Sequence, residues 1–362
     1  MNAYSINLIR DDQIAQAKAL MSSCFEAKLA SIFYLHPEST LVVTYFDRVV
    51  AGINLDVYRV NKQVKMGYIG WLYTDEKHRG KALAGLLLTE AMAFLEKQGC
   101  TEISACVEGD NPASFKQLAN RGFSILGLWQ QLRRFGFGTP VVYRHASRFF
   151  DMGYFLWHKS LIGDTGKEAA VGAKALVLTL VGNTLLFLFS LMGWNLLGLS
   201  GFHPFPLSNL QHPVLLLATP SLFLLGRTLA MLIWAKIKKR EVVYRSWDTA
   251  WIAAILLSLG LGLPFPVPGN LYVKGIGWKL KEETPLLAMM AILGQVAVAA
   301  LCLVVPKGVP LLFGLCLVTL DTLFFFYPFC GFNASRVKRW GKKPFAISVV
   351  VLLAVLLSVL VY

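Results

Sequence analysis

Acidic side chains are scarce in this chain: 21 Asp and Glu stand against 35 Lys and Arg, and charged residues fill only 15% of its 362 positions. A formal net charge of +14 would point a soluble protein toward nucleic acid. Here the surplus flanks apolar runs, at Lys236, Lys238, Lys239, Arg240 and Arg245, then at Arg336, Lys338, Arg339, Lys342 and Lys343. Membrane topology and anionic headgroups explain that placement better, so no nucleic-acid partner is expected. Cysteine is thin as well. Cys24, Cys100, Cys106, Cys302, Cys316 and Cys330 show neither paired nor metal-ligand spacing, which excludes a disulfide framework and leaves reduced thiols. Residues 1–10 mix polarity and lead into Asp11-Asp12, so no secretory signal is visible.

Long hydrophobic runs are missing up to about residue 167 and dominate beyond it. The overall apolar share, 56%, exceeds that of an average soluble domain because of this second half. Runs at 175–191, 213–235, 286–305 and 346–361 approach the ~20 residues that cross a bilayer core. The expectation is a soluble domain at 1–138, a linker at 139–168 and a helical membrane domain at 169–362. The linker interleaves Arg144, His145, Arg148, Phe149, Phe150, Tyr154, Phe155, Trp157, His158 and Lys159, a mixture that suits the headgroup level.

Within the first part, residues 5–10 read as a strand and Asp11 or Asp12 caps a helix carrying Ile14, Ala17, Leu20 and Met21. A hairpin follows at 40–46 and 49–57, then a strand at 66–74. That strand runs into a basic turn, Arg79-Gly80-Lys81-Ala82-Leu83-Ala84, which opens a helix. The first N–H groups of a helix lack internal partners and its dipole favours an anion. Small residues at 80, 82 and 84 let a pyrophosphate approach the backbone. A strand at 102–107, an Asn111-Pro112 helix start and a last strand running from Gly122-Phe123 through Arg134 complete the order β-α-β-β-β-α-β-α-β.

This order and the 79–84 turn resemble the GNAT acetyltransferase superfamily over residues 3–137, whose pyrophosphate loop reads Gln/Arg-x-x-Gly/Ala-x-Gly/Ala. The resemblance implies an α+β fold, a mixed sheet flanked by helices, ahead of an all-α polytopic membrane domain. It implies acetyl-CoA as co-substrate, with the pyrophosphate on Arg79, Gly80, Lys81, Ala82, Leu83 and Ala84. It places the pantetheine arm on Leu72 and Thr74 of a splayed strand and beside Asn111 and Ser114. The family tyrosine that protonates the departing thiolate corresponds to Leu118, which carries no proton to give. Glu108 is the expected general base, with Tyr73 as a second catalytic candidate. Asp75, Asp110 and Tyr68 lie close by in sequence, and a solvated loop carboxylate is the competing reading of Glu108.

Acetyl-CoA is cytosolic, which sets the expected topology. The first span, 170–198, exits through the loop 201–212, which lacks Lys and Arg, and 213–235 returns to the basic run at 236–245. The Gly- and Pro-rich stretch LSLGLGLPFPVPGN suits a re-entrant element at 247–275 rather than a crossing. Spans at 285–305, 309–331 and 344–361 then make about five crossings and leave the C-terminus non-cytosolic.

These parts resemble the core of site-2-protease-type intramembrane zinc metalloproteases over roughly 175–345. The metal-binding helix motif corresponds to Arg227-Thr228-Leu229-Ala230-Met231, and the hairpin to Pro268-Gly269. A further span corresponds to Met290 through Gln295, and the third-ligand stretch runs from Phe325 through Pro328 to Asn333-Ala334. Ala230, Ala235, Trp247, Pro268, Gly269, Pro328 and Ser335 fit the framework. The chemistry does not, because imidazole and carboxylate ligands are replaced by Arg227, Met231 and Asn333 and the catalytic glutamate by Thr228. A pseudoprotease without metal is expected. Arg227 and Asp321, each costly in hydrocarbon, are expected to pair. The combined expectation is a membrane-tethered N-acetyltransferase, its acceptor a small amine, an aminolipid or a peptide. The alternative is a CoA-binding sensor or scaffold with an inactive core.

Overall fold

The computed structural model describes residues 4–148, 151–164, 166, 168–196, 213–247, 249–275, 278–304, 311–327 and 329–361. It forms two compact units, 1–149 with 155–169 and 150–154 with 170–362.

The first unit is a seven-stranded mixed sheet with helices on its faces. In chain order it comprises β1 (Tyr4–Leu8), α1 (Ile14–Cys24), β2 (Thr40–Tyr45), β3 (Arg48–Arg59), β4 (Lys65–Thr74), α2 (Leu83–Lys97), β5 (Glu102–Glu108) and α3 (Pro112–Ala119). It continues with β6 (Ser124–Ile125), α4 (Leu128–Phe135), α5 (Thr139–His145) and β7 (Tyr154–Ser160). The sheet order is β1-β2-β3-β4-β5-β7-β6. β1 to β4 form an antiparallel meander, and β5 joins β4 in parallel after the α2 crossover. The β2–β3 turn is Phe46-Asp47, both at positive φ (45° and 59°), which matches the twist of a two-residue hairpin. Alternation gives β4 two buried faces. Met66 and Tyr68 pack with Tyr58, Cys106 and Phe135, while Gly67 lets Leu95 of α2 approach the other side.

Two sequence expectations are corrected here. The last strand does not run through Arg134: it stops at Ile125, and residues 128–135 are helical. Gln130 Oε1 takes the Gly127 N–H at 2.7 Å, starting the helix, and Gln131 and Phe135, one turn apart, are buried beneath it. The stretch 139–168, expected as an interfacial linker, instead supplies α5 and β7. Tyr154, Phe155, Trp157, His158 and Lys159 are sheet residues of β7, with Phe155, Trp157 and His158 buried. Glu102 binds both His158 of β7 and Arg134 of α4, the latter at 2.8 Å, and so fastens both elements to β5.

The second unit comprises α6 (Gly172–Leu196), α7 (Pro213–Ile237), β8 (Val242–Arg245), α8 (Ala250–Leu261) and β9 (Asn270–Val273). It closes with α9 (Leu280–Val304), α10 (Leu312–Leu323), α11 (Asn333–Trp340) and α12 (Lys342–Val361). Four described helices are long and apolar enough to cross a membrane, over Gly172–Gly193, Leu217–Ile237, Leu280–Val304 and Lys342–Val359. The expected crossing at 309–331 is not a continuous helix. α10 has 12 residues, a rise of ~18 Å against a ~30 Å core. It ends at Phe324, whose carbonyl accepts from the Cys330 thiol at 2.5 Å. Pro328, the loop at 201–212, and Phe149 and Phe150 lie outside the described residues. α7 and α9 cross backbone to backbone at Gly226 and Gly294, where a side chain on either would strike the other helix.

Candidate functional site

β4 and β5 pair on only three rungs, Met66/Glu102, Gly67/Ile103 and Tyr68/Ser104, and then separate. Beyond Tyr68, β4 remains paired on its β3 side, Leu72 with Ile53 and Thr74 with Ala51. Alternate backbone groups of residues 69–74 therefore face the opening. The β3–β4 register slips between Asn54/Trp71 and Leu55/Ile69, leaving Gly70 as the extra residue of a bulge. Gly70 has no room for a side chain, because the Tyr34 ring lies against it.

The opening leads to the basic turn. Asp75 accepts from the Lys77 N–H at 3.0 Å and starts a short turn over Glu76–His78. Gly80 (φ 77°) and Ala82 (φ 59°) are both left-handed, and α2 begins at Leu83. The first helical bond is Leu86 N–H to the Ala82 carbonyl, at 3.1 Å. Among the described residues, no acceptor takes the N–H groups of Gly80 through Ala84. A run of N–H groups in such a turn, at a helix N-terminus, makes an anion-binding concavity. Leu83 points its side chain into the core and offers only its backbone. Lys81 turns aside: its Nζ donates to the Tyr4 hydroxyl at 2.9 Å and lies 5.6 Å from that ring's centre. Arg79 stays exposed, with Nε donating to the Thr74 carbonyl at 3.4 Å.

Asn111 caps α3, its Oδ1 accepting the Ser114 N–H at 3.1 Å, with Pro112 in the first turn. Arg121, just past α3, donates to the Gly85 carbonyl at 2.7 Å and so sets the spacing of α3 from the start of α2. Leu118 is buried and provides no proton donor. The turn 79–84, Leu72, Thr74, Asn111 and Ser114 thus come from the two strands that separate and the helices that follow them.

The catalytic candidates fare differently. Glu108 ends β5 half-buried. Tyr73 is 2% exposed, and its hydroxyl donates to Asn54 Oδ1 at 3.4 Å inside the packing of α1. Burial, with the Cys24 thiol nearby, raises the Tyr73 pKa and keeps it neutral. A second group on the same sheet face escaped the sequence reading. Asp56 opposes Tyr68 on β4, which opposes Ser104 on β5, in the last closed rung before the strands part. His145 Nδ1 donates to Asp56 Oδ2 at 2.7 Å, and the Tyr58 ring stacks on the imidazole at 3.7 Å. The hydroxyls of Tyr34, Tyr58 and Ser104 are buried; those of Tyr58 and Ser104 face each other, and that of Tyr34 has no hydrogen-bond partner among the described residues. Burial raises the Tyr34 and Tyr58 pKa values, helped in Tyr34 by the Asp56 charge and in Tyr58 by Cys106 and Asp56. No local pattern marks this group, since Asp56 and His145 are 89 positions apart.

In the second unit, three separate stretches converge on Asp321. Arg227 donates through Nε at 2.6 Å and Nη2 at 3.3 Å, Gln295 Nε2 at 2.6 Å, and Asn333 through its N–H at 3.1 Å and Nδ2 at 3.0 Å. The second Arg227 amino group, Nη1, reaches the Gly269 carbonyl at 3.2 Å. Met231 is buried one turn from Arg227, beside Trp234 and Leu287. Among the described residues, no group of three or more His, Cys, Asp or Glu is placed to hold a metal ion.

Residues 7–123 match the family model described as Acetyltransferase (GNAT) family. No curated protein matches the sequence. Among solved structures the chain is similar to the NatC complex bound to Gag peptide and CoA, at 17% identity over 44% of this chain and 98% of that one, TM-score 0.33. It is similar to Naa50 of Arabidopsis thaliana in complex with a bisubstrate analogue, at 20% identity over 44% of this chain and 99% of that one, TM-score 0.32. A third is the PaiA N-acetyltransferase of Thermoplasma acidophilum with coenzyme A, at 14% identity over 43% of this chain and 98% of that one, TM-score 0.30.

Proposed function

We propose that the first unit binds acetyl-CoA and transfers its acetyl group to an amine, and that the apolar helices of the second unit hold it at a membrane. The observation that carries the reading is the alignment of two features. β4 and β5 part after the Tyr68/Ser104 rung, and the open edge of β4 ends at the Gly80–Ala84 turn with its unclaimed N–H groups. The pyrophosphate sits in that turn, with Arg79 adding charge. The pantetheine arm follows Leu72 and Thr74, with Asn111 and Ser114 across the opening. Backbone N–H groups at the opening orient the thioester carbonyl and take its developing charge.

The acceptor is a small amine, an aminolipid or a peptide. With the basic run at 236–245 on the cytosolic side, the first unit is cytosolic. The polar cluster around Asp321 occupies the place that a zinc ion holds in the protease family that 175–345 resembles. It is a structural centre, and no proteolysis is assigned to it. Calorimetry on the full chain in detergent tests the reading. Wild type is expected to bind acetyl-CoA at micromolar concentration, and Arg79→Glu with Gly80→Asp is expected to abolish binding. Binding that is absent in wild type, or unchanged in the variant, removes the proposal.

One observation favours a second reading, a CoA-binding sensor. Buried Leu118 replaces the family's proton donor. Thiol release from acetyl-CoA in the presence of amines separates the two, since a sensor binds without releasing thiol.

A further inference from the structure

Three buried hydroxyls lie close together: Tyr58 and Ser104 face each other as partners, while that of Tyr34 has no hydrogen-bond partner among the described residues, which is rare for a buried polar group. Those of Tyr34, Tyr58 and Ser104 lie where β4 and β5 part: Ser104 on the last closed rung, Tyr34 against the bulge at Gly70, and Tyr58 over Ser104. Beside them, the Asp56 and His145 side chains keep 20% and 35% of their surface exposed. The Asp56–His145 pair is therefore reachable from outside, unlike the Tyr73 hydroxyl. The charged and titratable groups gathered here are Asp56, His145, Arg148, Cys106 and the two tyrosines.

The Asp56–His145 contact fixes a tautomer. A carboxylate only accepts, so Nδ1 carries the hydrogen and Nε2 keeps a free lone pair. The Tyr58 ring, 8° from parallel, holds the imidazole plane. An oriented imidazole with a carboxylate behind it is the arrangement that withdraws a proton from a nucleophile. Strands are ~4.8 Å apart, so the Asp56 position lies roughly 10 Å or less from the strand opening. Glu108, by contrast, is four residues further out along β5.

We infer that His145, positioned by Asp56, is the general base of the reaction, and that Tyr34, Tyr58 and Ser104 receive the acceptor amine. The inference rests on the acetyl-transfer reading above. The amine nitrogen attacks the thioester carbonyl carbon and the C=O π pair moves to oxygen. The intermediate collapses to the amide as the C–S bond breaks and CoA leaves as thiolate. The proton lost by nitrogen goes to His145 Nε2, and the imidazolium returns it through solvent to the thiolate. The hydroxyl oxygens accept from the N–H groups of a primary amine, which is the acceptor class; an acceptor that arrives as ammonium gives its first proton to solvent before attack, and the second is the one that His145 takes.

The test uses the full chain in detergent, with acetyl-CoA and three probes: octylamine, spermidine and a hexapeptide with a free α-amino group. Acetyl-CoA affinity by calorimetry is expected to stay within about twofold of wild type in His145→Gln, His145→Ala and Asp56→Asn. His145→Gln is expected to lose roughly 10²-fold or more in kcat, and added imidazole to restore part of the rate in His145→Ala. Asp56→Asn lowers kcat with the acetyl-CoA KM unchanged, and Asp56→Glu recovers part of it. A His145→Gln rate within threefold of wild type overturns the assignment. So does a wild type that binds acetyl-CoA yet releases thiol with none of the probes. A wild type that binds no acetyl-CoA removes the parent reading, and this one with it.

Discussion

Arg227 and Asp321, 94 positions apart, meet through two hydrogen bonds of 2.6 and 3.3 Å, with neither side chain exposed. Asp321 also collects Gln295 and Asn333, so the charge is paired and its remaining lone pairs are used. A buried pair of this kind contributes little net stability over an apolar substitute, but breaking it strands one charge. Arg227→Leu is therefore expected to destabilise the detergent-solubilised protein by about 3–5 kcal/mol. Arg227→Leu with Asp321→Leu is expected to cost clearly less. Thermal unfolding of the three proteins measures the coupling, and equal losses in single and double variants would discredit the pair.

The basic turn yields a ranking within one loop. Lys81 is engaged by Tyr4, and that hydrogen bond raises its pKa and keeps it charged, yet turned toward the β1–β2 edge. Gly80 faces open space, where a carboxylate would stand beside the N–H groups of the turn. Gly80→Asp is expected to weaken acetyl-CoA binding about tenfold or more, since one charge-assisted bond is worth ~1.5–3 kcal/mol. Lys81→Ala is expected to weaken it by less. Calorimetry on both variants checks the order, and a larger loss from Lys81→Ala would reassign the phosphate contact to that side chain.

The turn and the Asn-Pro helix start were legible because each is a local pattern whose chemistry follows from neighbouring residues. The parting of β4 and β5 followed from the resemblance those residues carry. What lay beyond reach was made by distant contacts. β7 is an ordinary buried strand written in aromatic and basic residues, and only the Glu102 contact to His158 explains why such residues enter a sheet. Asp56 and His145 meet across the sheet from β3 and α5, with nothing nearby in sequence to pair them. The Arg227–Asp321 pair was readable for the opposite reason: two ionisable residues stranded in apolar runs have few partners but each other.

Buried tyrosines set an alkaline limit on the first unit. Burial is the leading cause raising the pKa of Tyr34, Tyr58 and Tyr73 above the ordinary value of 10.0. A folded state that holds these protons longer than the unfolded chain loses stability as pH rises past that value, and loses nothing below it. Stability should thus be flat from neutral pH to about 9 and fall above ~10. The tyrosinate absorbance of these three should appear only with unfolding. Full ionisation of all 12 tyrosines in protein that still melts cooperatively would contradict it.

Glu102 serves three elements at once. Its carboxylate, 5% exposed, accepts from Arg134 Nε and contacts the buried His158 ring. Glu102→Ala leaves a buried imidazole and a half-buried guanidinium without their shared partner. The expected cost is about 3 kcal/mol, with the strand pairing of β6 and β7 protected less than that of β3 and β4. Hydrogen exchange resolves the two regions, and uniform protection across the sheet would show that Glu102 does not fasten that edge.

The stretch between β8 and β9 leaves from and returns to one place, because its two ends are hydrogen-bonded to each other. Arg245 pairs with Asn270 and Val242 with Val273, antiparallel, so residues 246–269 leave from and come back to a single hairpin. α8 inside that excursion has 12 residues, ~18 Å of helix, too short to cross a ~30 Å core as a helix. Asn183 on α6 anchors the return, donating to the Val267 carbonyl and accepting from its N–H, both at 2.8 Å. Irregular backbone at membrane depth persists only where protein groups satisfy it in this way. Cysteines at Val242 and Val273, in a chain with its native cysteines replaced, are therefore expected to react with an impermeant thiol reagent from the same side of sealed vesicles. Labelling of the two from opposite sides would turn α8 into a crossing and reverse every later helix. Asn183→Leu in the same background should raise the reactivity of a cysteine at Phe265 as the returning segment loosens.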